Sequence, residues 1–284
     1  MPTQHSDLYH SGPFELGGCG NDLVLGRDEL SRRLEREQRE KADAQIHLAR
    51  LSSEAQQLRA QRDEALRALD MANQNAVFQL AKAAEEKDGE AGQHMRRIGV
   101  IAGMIAEASG CSEHFCELIC DAAQLHDIGK IGIHESILSK PGALTIDEWK
   151  LVREHSRIGA GILSAFKSPM MDLAAEISMS HHEHYSGAGY PLGLVGEAIP
   201  LAGRIVGLAD FFDSLTMDRC YRKAVSDDQA LAMIAERRGE QFDPRIVDAF
   251  LCIADQVILA RDSINEIEAI CDLPDIHGDW WMAF

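Results

Sequence analysis

No stretch of the 284-residue sequence approaches the ~18 consecutive apolar residues that a membrane-spanning helix needs. An integral helical membrane protein is therefore excluded, and no membrane partner is expected. Basic residues are also scarce: 28 Lys and Arg face 46 Asp and Glu, a net charge of −18. So acidic a chain repels nucleic acid and anionic lipid, and nucleic acid is not an expected partner either. A phosphate compound would have to be held by metal ions or by a few well-placed cations. The segment from Met1 to Gly20 lacks a basic start followed by an apolar core, which argues against a signal peptide. Seven cysteines, an odd number without framework spacing, suit free thiols in a reducing compartment, so the expected location is cytoplasmic. No proline interrupts the stretch from Asp22 to Lys87, and nowhere does an alternation of period two last long enough to build a sheet.

What is present divides the chain into four parts. Residues 1–22 crowd Gly12, Pro13, Gly17, Gly18 and Gly20 together without apolar periodicity and read as a flexible lead. Residues 23–87 are rich in Ala, Leu, Glu, Arg and Gln, the composition of a long helix. A heptad seam runs through them from Leu30 and Leu34 past Leu48, Leu51 and Leu58 to Leu69 and Ala76, weakened at Glu37, Lys41 and Arg62. Eleven of its fourteen positions are apolar. A lone helix cannot bury such a stripe, so the seam implies a partner helix and a coiled-coil homodimer. Residues 88–262 hold most of the acid excess and read as helical throughout. Gly110, Pro141-Gly142, Gly187 to Gly193 and Gly239 to Pro244 separate candidate helices over 91–109, 112–127, 145–167, 171–183, 200–217, 227–238 and 243–262. Residues 263–284 form a tail in which Trp280 and Trp281 have no assigned role. The fold class is all-α, a helical bundle preceded by a long coiled-coil helix.

The chemistry concentrates where histidines stand beside carboxylates. His126 and Asp127 are adjacent at the end of an apolar helix, so both can turn towards one cluster as the helix unwinds. Neutral imidazole and carboxylate suit a first-row divalent ion such as Fe, Mn or Zn. Gly129 relaxes the backbone there, and Lys130 puts an ammonium just beyond the pair. Glu90 and His94, four apart, share a helix face. His155 lies on the next amphipathic helix, and His181 and His182 are neighbours. Asp210 interrupts the apolar run from Arg204 to Asp213, where a carboxylate is costly to bury without a cation or a donor. Eight such residues on five segments point to a polynuclear metal site. Cys116 and Cys120 fall on an apolar helix face and read as core, while His114, His134 and His184 read as surface or accessory residues.

These residues carry a family resemblance. His126-Asp127-Ile128-Gly129-Lys130, His181-His182-Glu183 and Gly187-Ala188-Gly189-Tyr190-Pro191 resemble the signatures of HD-GYP domains, a branch of the HD phosphohydrolases. Asp88 to His94 resembles the upstream ligand segment of that family. Asp210 to Thr216, Arg219 to Arg222 and Phe242-Asp243-Pro244 resemble its downstream ones. The likeness spans about residues 88–255 in the right order. Three positions depart from it: Ser156 and Cys220 stand where the family often has proline, and Ser186 where it usually has Asp or Asn.

The resemblance implies an HD-type helical bundle that cleaves cyclic di-GMP to pGpG, and onward to GMP, in bacterial second-messenger signalling. Two alternatives stay open: a silent module that binds a cyclic dinucleotide, and a phosphodiesterase for a mixed cyclic GMP-AMP dinucleotide. The implied metal ligands are Glu90, His94, His126, Asp127, His155, His181, His182 and Asp210. They would hold two or three divalent ions, commonly iron or manganese, with Asp127 as the bridge. Lys130 is the implied proton donor to the leaving oxygen, and Asp88 orients a water or a ligand. Arg219 and Arg222 hold a phosphate, and Tyr190, framed by Gly189 and Pro191, shapes the wall near a guanine. An upstream signalling protein would supply the input.

Overall fold

The computed structural model describes residues 19–86, 93–218 and 223–271, and they form two compact units, 1–71 and 72–284. Among the described residues of the first unit there is one element, the part of helix α1 (Cys19–Glu86) that precedes Ala72. It begins inside the expected flexible lead. The seam residues Leu30, Leu34, Leu48, Leu51, Leu58 and Leu69 are all exposed, Leu30 at 68 % and Leu48 at 65 %. The stripe is an apolar surface with nothing of its own unit to cover it.

The second unit takes in the last turns of α1, where Val77, Ala81 and Ala84 are buried. The remaining α-helices are α2 (Gln93–Ala108), α3 (Glu113–Ala122), α4 (Glu135–Leu138), α5 (Ile146–Arg153), α6 (His155–Leu163), α7 (Pro169–Ser180), α8 (Leu201–Thr216), α9 (Asp227–Glu236), α10 (Pro244–Cys252) and α11 (Ala254–Cys271). No strand occurs among the described residues, and no helix there is long and apolar enough to cross a membrane. The all-α expectation holds. α2 and α8 pack on each other at the centre, flanked by α3, α7, α10 and α11, around fully buried Ile98, Ile101, Ile105, Ile119, Phe212 and Phe250.

Local chemistry explains most boundaries. Thr145 and Glu148 form the expected capping box at the start of α5, and Ser226 and Gln229 form another at α9. The expected helix 145–167 is two helices that meet at Glu154, with His155 Nδ1 donating to the Val152 carbonyl (2.7 Å) at the junction. The expected helix 112–127 ends at Ala122 and tightens into a 3-10 turn over Ala123–Leu125. A second 3-10 turn over Ile128–Gly132 follows Asp127. The expected helix 243–262 breaks at Ile253, and α11 then runs on to Cys271, through the first part of the expected tail. Trp280 and Trp281 lie outside the described residues.

Candidate metal centre

Seven of the eight expected ligands are described, and all seven come to one place. His94 lies on the first turn of α2 and Asp210 on α8. His126 and Asp127 sit between the two 3-10 turns, His155 opens α6, and His181 and His182 follow the end of α7. Glu90 lies outside the described residues, as do Asp88, Arg219 and Arg222.

The last carbonyls of a helix have no partner within it. Three rings take up such carbonyls: Nδ1 of His126 faces Ala123 O (3.0 Å), that of His155 faces Val152 O (2.7 Å), and that of His181 faces Ile177 O (3.0 Å). A carbonyl only accepts, so each Nδ1 carries the proton. In the neutral ring, Nε2 is then a bare lone pair aimed into the cluster. The contact that finishes each helix end therefore also selects the tautomer a metal ligand needs.

Those lone pairs converge on carboxylates and on one another. Asp127 Oδ1 is 3.2 Å from His155 Nε2 and 3.6 Å from His181 Nε2, while Oδ2 is 3.3 Å from His126 Nε2. Asp210 Oδ1 lies 3.5 Å from His94 Nε2 and 4.0 Å from His126 Nε2. Donor atoms fall into two groups, Asp127 with His155, His181 and His182, and Asp127 with His94 and His126. Asp127 belongs to both.

This set fits a bound cation. The Nε2 atoms of His155 and His181 face each other at 3.5 Å, two lone pairs when both Nδ1 atoms carry the proton, with Ser156 Oγ 3.4 Å from that of His155. His126 Nε2 and Asp127 Oδ1 are buried and complete no hydrogen bond among the described residues. Leaving buried acceptors so costs about 1–3 kcal/mol each, which an electrophile shared by them would recover. Burial opposes charge on Asp127, yet the neighbouring Lys130 ammonium holds its carboxyl well below the usual range. Burial, reinforced by His181 and His155, holds His182 far below the ordinary histidine value and therefore neutral. Both are in the protonation state that ligation requires.

The structure explains why the pieces can approach. A Cβ on Gly129 would sit 1.9 Å from the His155 carbonyl and 2.5 Å from Gly159 N, so the turn carrying Asp127 lies backbone-to-backbone on α6. Gly189 has the same role in the loop, where a Cβ would meet His184 N at 2.2 Å.

Comparison with known proteins agrees with this arrangement. The HD domain family matches residues 79–246, more than half of the chain. The chain belongs to the HD domain family. It is 47 % identical over 175 residues to the cyclic di-GMP phosphodiesterase response regulator RpfG of Xanthomonas campestris pv. campestris (strain 8004), covering 62 % of this chain and 46 % of that protein. It is 43 % identical over 173 residues to a cyclic di-GMP phosphodiesterase of Thermotoga maritima, covering 61 % and 47 %. To 3'3'-cGAMP-specific phosphodiesterase 2 of Vibrio cholerae it is 37 % identical over 190 residues, covering 67 % and 36 %. The chain spans less than half the length of these relatives. Among solved structures, the V. cholerae cyclic GMP-AMP phosphodiesterase V-cGAP3 shares the fold, with a TM-score of 0.52 at 20 % identity, covering 71 % of this chain and 54 % of that one.

The HD domain also uses residues that the sequence reading left without a role. Asp213 is buried and joins His94 Nδ1 (2.7 Å) to Arg97, whose Nε and Nη2 donate at 2.5 and 3.0 Å. Burial works against its charge, but these donors hold its carboxyl down at about 2. It orients His94 as carboxylates commonly orient metal-ligating histidines. A signal existed: Asp213 follows Asp210 by three on a helix and so shares its face. Glu183 is buried and accepts the backbone N–H groups of Leu192, Gly193 and Leu194 at 2.6, 3.1 and 2.9 Å. The loop after His182 is further held by Tyr185 N on Gln241 O (3.0 Å) and Ser186 N on Glu240 O (2.8 Å).

Tyr190 stacks on His182, with centroids 4.7 Å apart, and Arg153 Cζ lies over the Tyr190 ring, 4.9 Å from its centroid. The Tyr190–Pro191 bond is cis, and Pro191 O accepts from Arg157 (3.2 Å). Lys130 Nζ is 2.8 Å from Asp127 Oδ2. Cys111 and Cys116 pack against the core, and His134 caps α4 through Ser136 N.

Proposed function

We propose that this chain hydrolyses a phosphodiester bond of a cyclic dinucleotide, cyclic di-GMP to pGpG and onward to GMP. The observation that carries the reading is the sharing of Asp127 by two donor groups. Asp127 would bridge two ions, with His155, His181 and His182 on one side and His94, His126 and Asp210 on the other. Glu90 would complete a third position, and iron or manganese suits this nitrogen and oxygen set. When bound, such ions supply Lewis acidity to a phosphoryl oxygen and to the hydrolytic water. The relatives' names support the substrate class.

The chain's own residues do the rest. Lys130, a donor at the cluster's edge, gives a proton to the leaving ribose oxygen, a contribution of roughly 10²–10⁴ in rate. Asp88 orients a water or a ligand. Arg219 and Arg222 hold a phosphate, where guanidinium geometry matches phosphoryl oxygens. The Tyr190 ring, stacked on His182 and framed by Gly189 and Pro191, forms a wall near which a guanine packs. The protein works in the cytoplasm as a homodimer joined along the α1 seam, with its input from an upstream signalling protein.

A mixed cyclic GMP-AMP dinucleotide is the second reading, favoured by Ser186 in the loop and by the relatives that carry that name. The test is anaerobic purification followed by chromatography of both dinucleotides with the protein. Faster loss of cyclic di-GMP, with pGpG appearing, supports the first reading. Preference for the mixed dinucleotide replaces it with the second, and cleavage of neither overturns both.

A further inference from the structure

Resting on the reading of the cluster as a metal centre, we propose that Asn265, on helix α11, is a positioning residue for the ligand His94. Asn265 lies beyond the stretch that matches the HD domain family, 79–246. Helix α11 packs on α2. Both ends of the Asn265 amide are engaged: Oδ1 accepts from Arg97 Nη1 (3.2 Å), and Nδ2 donates to Met217 Sδ (3.7 Å). Arg97 belongs to α2, which carries His94, and Met217 directly follows α8, which carries Asp210 and Asp213. One side chain thus staples the two helices from behind the cluster.

The staple reaches the ligand through atoms whose freedom is already spent. Asp213 Oδ1 takes Arg97 Nε, and Oδ2 is shared between Arg97 Nη2 and His94 Nδ1. Where the guanidinium turns, the carboxylate turns with it, and the His94 ring follows. His94 Nε2 then loses its aim at Asp210 Oδ1, 3.5 Å away. Among the described residues, the other acceptor for Arg97 Nη1 is Gln93 Oε1, at the limit of a hydrogen bond (3.5 Å). Asn265 is therefore the acceptor that fixes the outer edge of the guanidinium. Partners one shell out from a ligand typically change metal affinity 10–100-fold. Asp213 is such a partner and Asn265 stands two contacts beyond it, so the lower end applies.

The test titrates the metal-stripped full chain with Mn²⁺ and reads free Mn²⁺ by electron paramagnetic resonance, alongside thermal unfolding without metal. Asn265→Leu keeps the size and removes the acceptor; Asn265→Asp keeps an oxygen for Arg97. The expected result is about tenfold weaker binding of one class of ion in Asn265→Leu, with the other class unchanged and Asn265→Asp within about twofold of wild type. Wild-type binding by Asn265→Leu would overturn the proposal. So would equal weakening of every class together with a lowered melting temperature, or an Asn265→Asp variant as impaired as Asn265→Leu. A wild-type chain that binds no Mn²⁺ would instead overturn the metal-centre reading itself.

Discussion

Replacing Gly129 by Ala adds one methyl group, and the structure sets what it meets. The new Cβ would lie 1.9 Å from the His155 carbonyl oxygen and 2.7 Å from its carbon. A carbon approaches a carbonyl oxygen no closer than about 3.3 Å, so the Asp127 turn and α6 must part by about 1.4 Å. Neither side can yield by a rotamer change, because the obstacle is backbone. Overpacking of this kind costs about 1–3 kcal/mol, which for a unit of this size lowers the melting temperature by about 2–12 °C. Function suffers more than stability. The same displacement carries Asp127 away from His155 Nε2, now 3.2 Å distant, whereas ligand distances tolerate only about 0.2 Å. The control is Gly161→Ala in the same helix, where nothing lies within 4 Å of the added carbon. There the substitution should gain about 0.5–1 kcal/mol from helix propensity. Thermal unfolding and metal per chain are measured on both variants. A Gly129→Ala protein that melts with wild type and retains its metal would refute the close-approach argument.

Two further predictions concern single functions. Lys130→Ala should retain its metal while the rate of cyclic di-GMP cleavage falls roughly 10²–10⁴-fold; loss of metal as well would show that Lys130 supports Asp127 and not the leaving group. Leu48→Glu combined with Leu58→Glu, both on the exposed seam, should halve the mass seen by sedimentation without loss of helical circular dichroism. An unchanged mass would remove the coiled coil as the dimer contact.

The helical class and the convergence of separated histidines were legible because both are written in spacing and residue type. Apolar period marks α2 and α8, and no packing need explains paired histidines beside carboxylates. The junctions at Glu154 and Ile253 were not legible, since neither glycine nor proline marks them; tertiary contacts set them. Glu183 was quoted within a motif, but its work is done on backbone N–H groups nine to eleven residues away, which side-chain patterns do not announce. Asn265 sits in what reads as a tail, because only the packing of α11 on α2 gives it a partner. The roles of Asp88, Glu90, Arg219 and Arg222 rest on the sequence, as these four lie outside the described residues.

The most direct measurement is metal content per chain, by mass spectrometry, after oxygen-free purification of wild type and Asp127→Ala. Because both donor groups contain Asp127, its place as the shared ligand requires at least two transition-metal ions in wild type and loss of both classes together in the variant. A wild-type protein free of transition metal, or an Asp127→Ala protein that keeps its full complement, would contradict it.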